Sequence, residues 1–288
     1  MMLDNLTVNK LNSLFTNISF EYFLSEGGQK KVFKGKKKGQ DVVIKFIPIE
    51  NKIDLQRITR EIACMKEINS KHLVKLIDCF PYKIDNQQMV VLIEEFIDGT
   101  SLRTVINSKP SLELSIKILE VLLNLLDEFD KKNIIHRDIK PENIMVSGRG
   151  EIILLDFGVA RMLDENSITH SKLPMAPGTF LYCAPEQLHN KKQLQDVRTD
   201  LYSCGVVFFE TTVGMLPFEE DEFGNCLTSK LDGKRRRLKD IMQTTPGIDL
   251  IDELFLKLTN IHQHERYRKP RFAIEKLEEI KGVLNAKK

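Results

Sequence analysis

The 288-residue sequence predicts an α+β fold of two lobes, a small strand-rich N-lobe with one long helix and a larger, mainly helical C-lobe. Three observations predict it. Strand-like apolar patterns dominate the first third of the chain. A single clear helical period, through Ile53, Ile58, Ile62, Met65 and Ile68, interrupts them. From Leu112 onward the apolar spacing is helical, apart from two short strands.

The elements follow in order. Leu3, Leu6, Leu11 and Leu14 make a loose helical pattern, and Phe20 to Leu24 is aromatic-rich and strand-like. Val32 to Lys38 and Asp41 to Ile47 read as strands joined by a tight Gly39-Gln40 turn. Residues 52–68 are the helix, and Val90 to Phe96 is a further strand. After Gly99 come a long helix over Leu112 to Phe129 and two short strands, Asn143 to Val146 and Ile152 to Leu155, with the turn Gly148-Arg149-Gly150 between them. Helices are expected over Ile248 to Leu258 and Ala273 to Leu284. Residues 1–19 read as an N-terminal extension and 20–288 as one domain, with the N-lobe at about 20–97 and the C-lobe at about 98–288. The connection near residues 95–100 is the expected hinge, and ligands favour the space between lobes.

Bulk composition excludes several function classes. Net charge is +2, so nothing calls for nucleic acid or an anionic membrane as partner. The five cysteines include no C-x-x-C pair, which fits reduced thiols. The early Asp4 and Asn5 argue against a secretory signal. The apolar stretch around Ile118 carries Glu120, Asn124, Asp127 and Glu128, so membrane insertion is not expected. A cytoplasmic location is the expectation.

Chemistry concentrates in H-R-D-I-K-P-E-N, His136 to Asn143. Phosphoryl transfer needs positioning, metal ions and neutralised phosphate oxygens more than covalent help. Asp138 can orient an attacking hydroxyl and accept its proton. Lys140 can reach the transferring group, and Asn143 can offer a carbonyl oxygen to Mg²⁺, a cation that prefers oxygen ligands. With this segment the chain resembles the eukaryotic-type (Hanks-type) Ser/Thr protein kinase family. The resemblance runs from about Phe20 to Ile280 and leans toward stand-alone bacterial members.

The resemblance implies roles for further residues. Asp156 of D-F-G would chelate the metal with Asn143. Lys45, ending Val42-Val43-Ile44-Lys45, would hold the α- and β-phosphates, and Glu61 on the helix would pair with it; Glu67 is a rival placed too late. The phosphate-covering loop falls on Ser25, Gly27 and Val32, with Ser25 and Lys30 replacing two glycines of the family pattern. In Glu94 to Arg103, main-chain adenine contacts fall at Glu95 and Ile97. The position facing the adenine site, the gatekeeper, is then Glu94, or Ile93 if the register shifts by one. A carboxylate there would need a partner, because burying it alone is costly.

The segment Gly178 to Glu186 resembles the end of the family's activation segment. Thr179 would contact Asp138 and Lys140, an arrangement implying Ser/Thr specificity. Glu186 would pair with Arg266, or with Arg268 as second choice. Asp200 of D-x-x-S-x-G would brace the catalytic loop. Arg137 implies a pocket for a phosphorylated activation segment, with Ser167, Thr169 and Ser171 as autophosphorylation sites. The implied activity is transfer of the γ-phosphoryl group of ATP, with Mg²⁺ (Mn²⁺ as an alternative), to a protein Ser or Thr hydroxyl. A non-catalytic binding protein on the same fold is the competing reading, supported by the eroded glycine loop. A small-molecule kinase is the third, disfavoured by A-P-E and D-x-x-S-x-G. Of the basic run Lys234 to Arg237, a solvated loop face is the expected role, ahead of recruitment of acidic substrates.

Overall fold

The structure is a computed structural model that describes residues 5–27, 30–155, 179–189, 194–220 and 226–286. Asp156, Ser167, Thr169 and Ser171 lie outside the described residues, as do the side chains of Glu61 and Thr179. The chain divides into two compact units at Asp98/Gly99.

In the first unit, helix α1 (Val8–Leu14) precedes strands β1 (Ile18–Gly27), β2 (Lys30–Lys37) and β3 (Gln40–Pro48). Helix α2 (Lys52–Glu67) and strands β4 (Leu76–Ile84) and β5 (Gln87–Glu95) follow. The five strands form one antiparallel sheet in the order β1-β2-β3-β5-β4. Period-two alternation sorts β3 cleanly. Val42, Ile44 and Phe46 join Phe20, Phe33, Val91 and Ile93 in one buried cluster, and Ile47 joins Val90, Leu92, Ile58 and Ile62 of α2 in the other.

Leu6, Leu11, Phe15 and Ile18, from the stretch read as an N-terminal extension, pack into the first of those clusters. Thr7 caps α1 by accepting from the Lys10 N–H, and the Asn12 amide both donates to the Phe20 carbonyl (2.9 Å) and accepts from the Phe20 N–H (2.8 Å). Those two bonds stitch α1 to β1.

Two local corrections to the sequence reading concern turns. The β2–β3 turn is Lys38-Gly39, both at positive φ (51° and 79°), and not Gly39-Gln40. Paired left-handed residues match the right-handed twist of a hairpin. The same device, Asp85-Asn86 at φ 52° and 83°, joins β4 to β5. The sequence reading has no β4, because its residues alternate weakly on a half-exposed strand.

In the second unit, β6 (Gly99–Ser101), β7 (Ile144–Ser147) and β8 (Ile152–Leu154) form a small antiparallel sheet. Its helices are α3 (Leu102–Ser108), α4 (Leu112–Lys131), α5 (Pro185–Leu188), α6 (Val197–Val213), α7 (Leu227–Leu231), α8 (Leu238–Ile241), α9 (Ile248–Leu258) and α10 (Pro270–Asn285), of which α3 and α4 pack on the sheet. Helix α4 starts at Ser111, whose hydroxyl accepts from the Leu114 N–H. It buries a stripe that includes Ile118, Leu122, Leu125, Leu126 and Phe129. Each such side chain contributes roughly 1.5–3 kcal/mol of transfer free energy. Helix α6 is buried on every side from Thr199 to Thr212, as expected for a central helix. No described helix is long and apolar enough to cross a membrane.

Candidate active site

Residues singled out by sequence fall in both units. In the first, the ladders set Ser25 opposite Val32, Val32 opposite Lys45 and Lys45 opposite Leu92. Directly opposed residues share a face, so Ser25, Val32 and Lys45 lie in one row. Glu94 lies opposite Val43 and therefore on that same face. Ile93, opposite Ile44, joins the cluster on the other face. The register left open between Ile93 and Glu94 thus places the carboxylate on the lysine's side.

Lys45 Nζ donates to Glu94 Oε2 at 2.6 Å, and both side chains are buried. The expected partner for the lysine is Glu61. Helix α2 carries Glu61 as expected, but its side chain lies outside the described residues. Beyond the strand, the Glu95 N–H donates to the Lys75 carbonyl (3.0 Å), and Glu95 Oε1 accepts from the Lys75 N–H (2.9 Å). These bonds fix the chain leading to Ile97. Gly27 pairs with Lys30 at the tip of the β1–β2 hairpin, and β1 is bulged just before Ser25.

In the second unit, the segment around Asp138 is built by hydrogen bonds. Asp200, fully buried near the start of α6, accepts from the N–H groups of His136 (2.7 Å) and Arg137 (2.8 Å). Burial pushes the Asp200 carboxyl up, and the two N–H donors pull it back. Arg137 takes φ 67°, a left-handed conformation uncommon for a non-glycine residue, and the grip on its N–H helps impose it. Its carbonyl accepts from Gln187 Nε2 at 3.0 Å.

His136 is buried and stacks on Phe129. The Asp138 N–H donates to His136 Nδ1 (3.3 Å), which makes Nε2 the protonated nitrogen facing the Leu155 carbonyl at 3.1 Å. The imidazole so ties Asp138 to the residue just before Asp156.

The Asp138 carboxylate is held from two sides. Lys140 Nζ lies 3.2 Å from Oδ1 and 3.0 Å from Oδ2. Asn143 Nδ2 donates to both Asp138 Oδ2 and the Asp138 carbonyl, each at 2.8 Å. With both amide hydrogens directed at Asp138, the Asn143 oxygen remains as a ligand of the kind Mg²⁺ takes. The side chain thus fits the metal role. Its predicted co-ligand, Asp156, is outside the described residues, and no group of three or more His, Cys, Asp or Glu side chains suited to a metal ion occurs among the described ones.

Around this loop the structure brings Glu186 and Arg266 together in a buried bidentate pair, Nη1 to Oε1 at 2.7 Å and Nη2 to Oε2 at 3.0 Å. Thr199 Oγ1 adds a bond to the carboxylate (2.9 Å), and the guanidinium lies over the Tyr202 ring. Ser203 Oγ donates to the Tyr182 carbonyl at 2.9 Å. A Cβ on Gly205 would sit 2.6 Å from Thr259 Cγ2 and 2.8 Å from Leu258 Cβ. So in D-x-x-S-x-G the aspartate holds the His136–Arg137 backbone, the serine holds the 179–182 turn, and the glycine lets α6 meet the end of α9.

Sequence similarity now decides the family. Residues 19–268 match the protein kinase domain. The chain belongs to the protein kinase family. A probable serine/threonine-protein kinase of Clostridium perfringens is 30% identical over 266 residues, covering 90% of this chain and 37% of that protein. The serine/threonine-protein kinase TIO of Arabidopsis thaliana is 31% identical over 253 residues, 86% of this chain and 18% of its own. A probable PknB kinase of Lactococcus lactis is 32% identical over 218 residues, 75% of this chain and 33% of its own. The chain thus spans between 18 and 37% of the length of these relatives.

Three features of this kinase domain escape sequence reading. Lys45–Glu94 is one. The second is Lys230, fully buried, whose ammonium donates to the carbonyls of Phe180 (2.8 Å) and Leu181 and lies over the rings of Tyr202 and Phe218. It fastens the turn that begins at Thr179 to the helical body, and nothing in T-S-K-L marks it. The third is a network in which Arg103 donates to Glu142 (2.8 Å), to Glu210 (2.6 Å) and to the Tyr182 hydroxyl, which itself donates to Glu210. The basic run is also corrected in part. Arg235 donates to the Leu256 carbonyl, Arg236 to the Leu216 and Phe218 carbonyls, and Arg237 to the buried Asp252. The solvated reading holds for Lys234, which is exposed, whereas the three half-buried arginines also brace the surrounding chain.

Proposed function

We propose that the protein transfers the γ-phosphoryl group of ATP to a Ser or Thr hydroxyl of a protein substrate. The observation that carries this reading is the Asp138 carboxylate, held by Lys140 and Asn143 in a loop that the buried Asp200 fastens. Asp138 orients the acceptor hydroxyl and receives its proton as the oxygen attacks the γ-phosphorus, and the bond from that phosphorus to the β–γ bridging oxygen breaks, releasing ADP. Lys140 lies beside that carboxylate and offsets the charge carried by the phosphoryl oxygens. Lys45 holds the α- and β-phosphates, Ser25, Gly27 and Val32 cover them, and the main chain at Glu95 and Ile97 contacts the adenine. Asn143 and Asp156 would hold Mg²⁺, which would supply neutralisation of the phosphates. Thr179 and Lys140 favour an alcohol acceptor, and the names of the relatives point the same way.

Arg137 and the hydroxyls of Ser167, Thr169 and Ser171 suggest control by autophosphorylation. Mass spectrometry after incubation with ATP and Mg²⁺ tests this, and no phosphate within residues 159–182 would exclude it. Transfer itself is tested with γ-labelled ATP and a generic basic protein, comparing wild type with Asp138→Asn. Nucleotide binding with no transfer by the wild type would favour the non-catalytic reading.

A further inference from the structure

The buried pair between β3 and β5 points beyond these roles. Lys45 and Glu94 stand diagonally across neighbouring strands, Lys45 opposite Leu92 and Glu94 opposite Val43. Their side chains are 7% and 4% exposed, and Nζ and Oε2 are 2.6 Å apart. Burying a charge so far from water is costly unless it is paired, and these two charges pair with each other. The geometry is also pre-set. Ladder bonds along β3–β5 fix both backbones, so the carboxylate that meets the ammonium is carried on the neighbouring strand of the same sheet. An ammonium has three N–H donors, and the bond to Glu94 uses one of them.

We propose that Glu94 is a positioning residue that fixes the Lys45 ammonium for the phosphates of the bound nucleotide. The inference rests on the reading of Lys45 as the phosphate-holding residue. Acting through the lysine, Glu94 confers on this chain a strand-borne anchor in addition to the helix-borne Glu61.

Steady-state kinetics with ATP as the varied substrate test it on wild type, Lys45→Met, Glu94→Gln and Glu94→Asp. Glu94→Gln, which keeps shape and an acceptor but removes the charge, is expected to raise the KM for ATP about tenfold with a smaller change in kcat. Glu94→Asp is expected to recover at least about threefold of that loss by restoring the carboxylate. A merely structural role would instead lower kcat through the active fraction at unchanged KM. A wild-type KM in Glu94→Gln alongside an impaired Lys45→Met overturns the role of Glu94 alone. A wild-type KM in Lys45→Met overturns the phosphate reading and the inference with it. Should Glu94→Gln not fold, thermal unfolding supplies the second arm. The Lys45→Met/Glu94→Met double variant is expected to lose less Tm than the two single variants together, and a loss equal to their sum contradicts the coupling.

Discussion

At the residue scale, Asp200 and Glu186 are buried carboxylates whose partners cannot be exchanged without loss. Asp200 accepts from two backbone N–H groups. In Asp200→Asn one oxygen is replaced by an NH₂ facing a donor, so one N–H loses its acceptor. We expect about 1–3 kcal/mol of lost stability in chemical denaturation, together with a lower kcat as the Arg137 backbone relaxes. Unchanged stability and rate would mean that the catalytic loop keeps its shape unaided. Glu186 is held by Arg266 in a fork geometry that lysine cannot reproduce. Arg266→Ala leaves a buried carboxylate without its cation and should cost about 3–5 kcal/mol, read from the urea midpoint.

At the scale of elements, close approaches decide what is tolerated. Gly205 on α6 has Thr259 and Leu258 where a side chain would go. Gly205→Val should destabilise by roughly 1–3 kcal/mol through overpacking, and a neutral result would show that α6 and α9 part easily. Legibility in the sequence varied by element for physical reasons. The helix over Ile248–Leu258 has the bounds expected from its apolar period, because its pattern is strong and its face singly buried. Strand β4 was not legible, since a half-exposed strand alternates weakly, although Asp85-Asn86 was a usable turn signal. Motif residues close in sequence, such as Asp138, Lys140 and Asn143, were readable because their spacing alone brings them together. Lys45–Glu94 and Lys230 were not, because their partners are distant in sequence and are supplied by a ladder or by a turn.

At the scale of the whole molecule, the chain is two compact units, each with its own core. The residues before β1 belong to the first of them. Leu11 is fully buried against the sheet, and Phe15 packs on Phe20, Phe46 and Tyr82. Leu11→Ala is expected to cost about 2–5 kcal/mol, measured by denaturant unfolding. An effect under about 0.5 kcal/mol, the range of ordinary surface changes, would show that this stretch adds little to the stability of the unit.

The most direct measurement is transfer of the γ-phosphoryl group from labelled ATP, wild type against Asp138→Asn, with folding and ATP binding checked in parallel. The predicted result is incorporation by the wild type and a loss of at least about a hundredfold in the variant, the scale of a general base, with nucleotide affinity kept. Labelling that survives the substitution would contradict the role assigned to Asp138 and the proposed mechanism built on it.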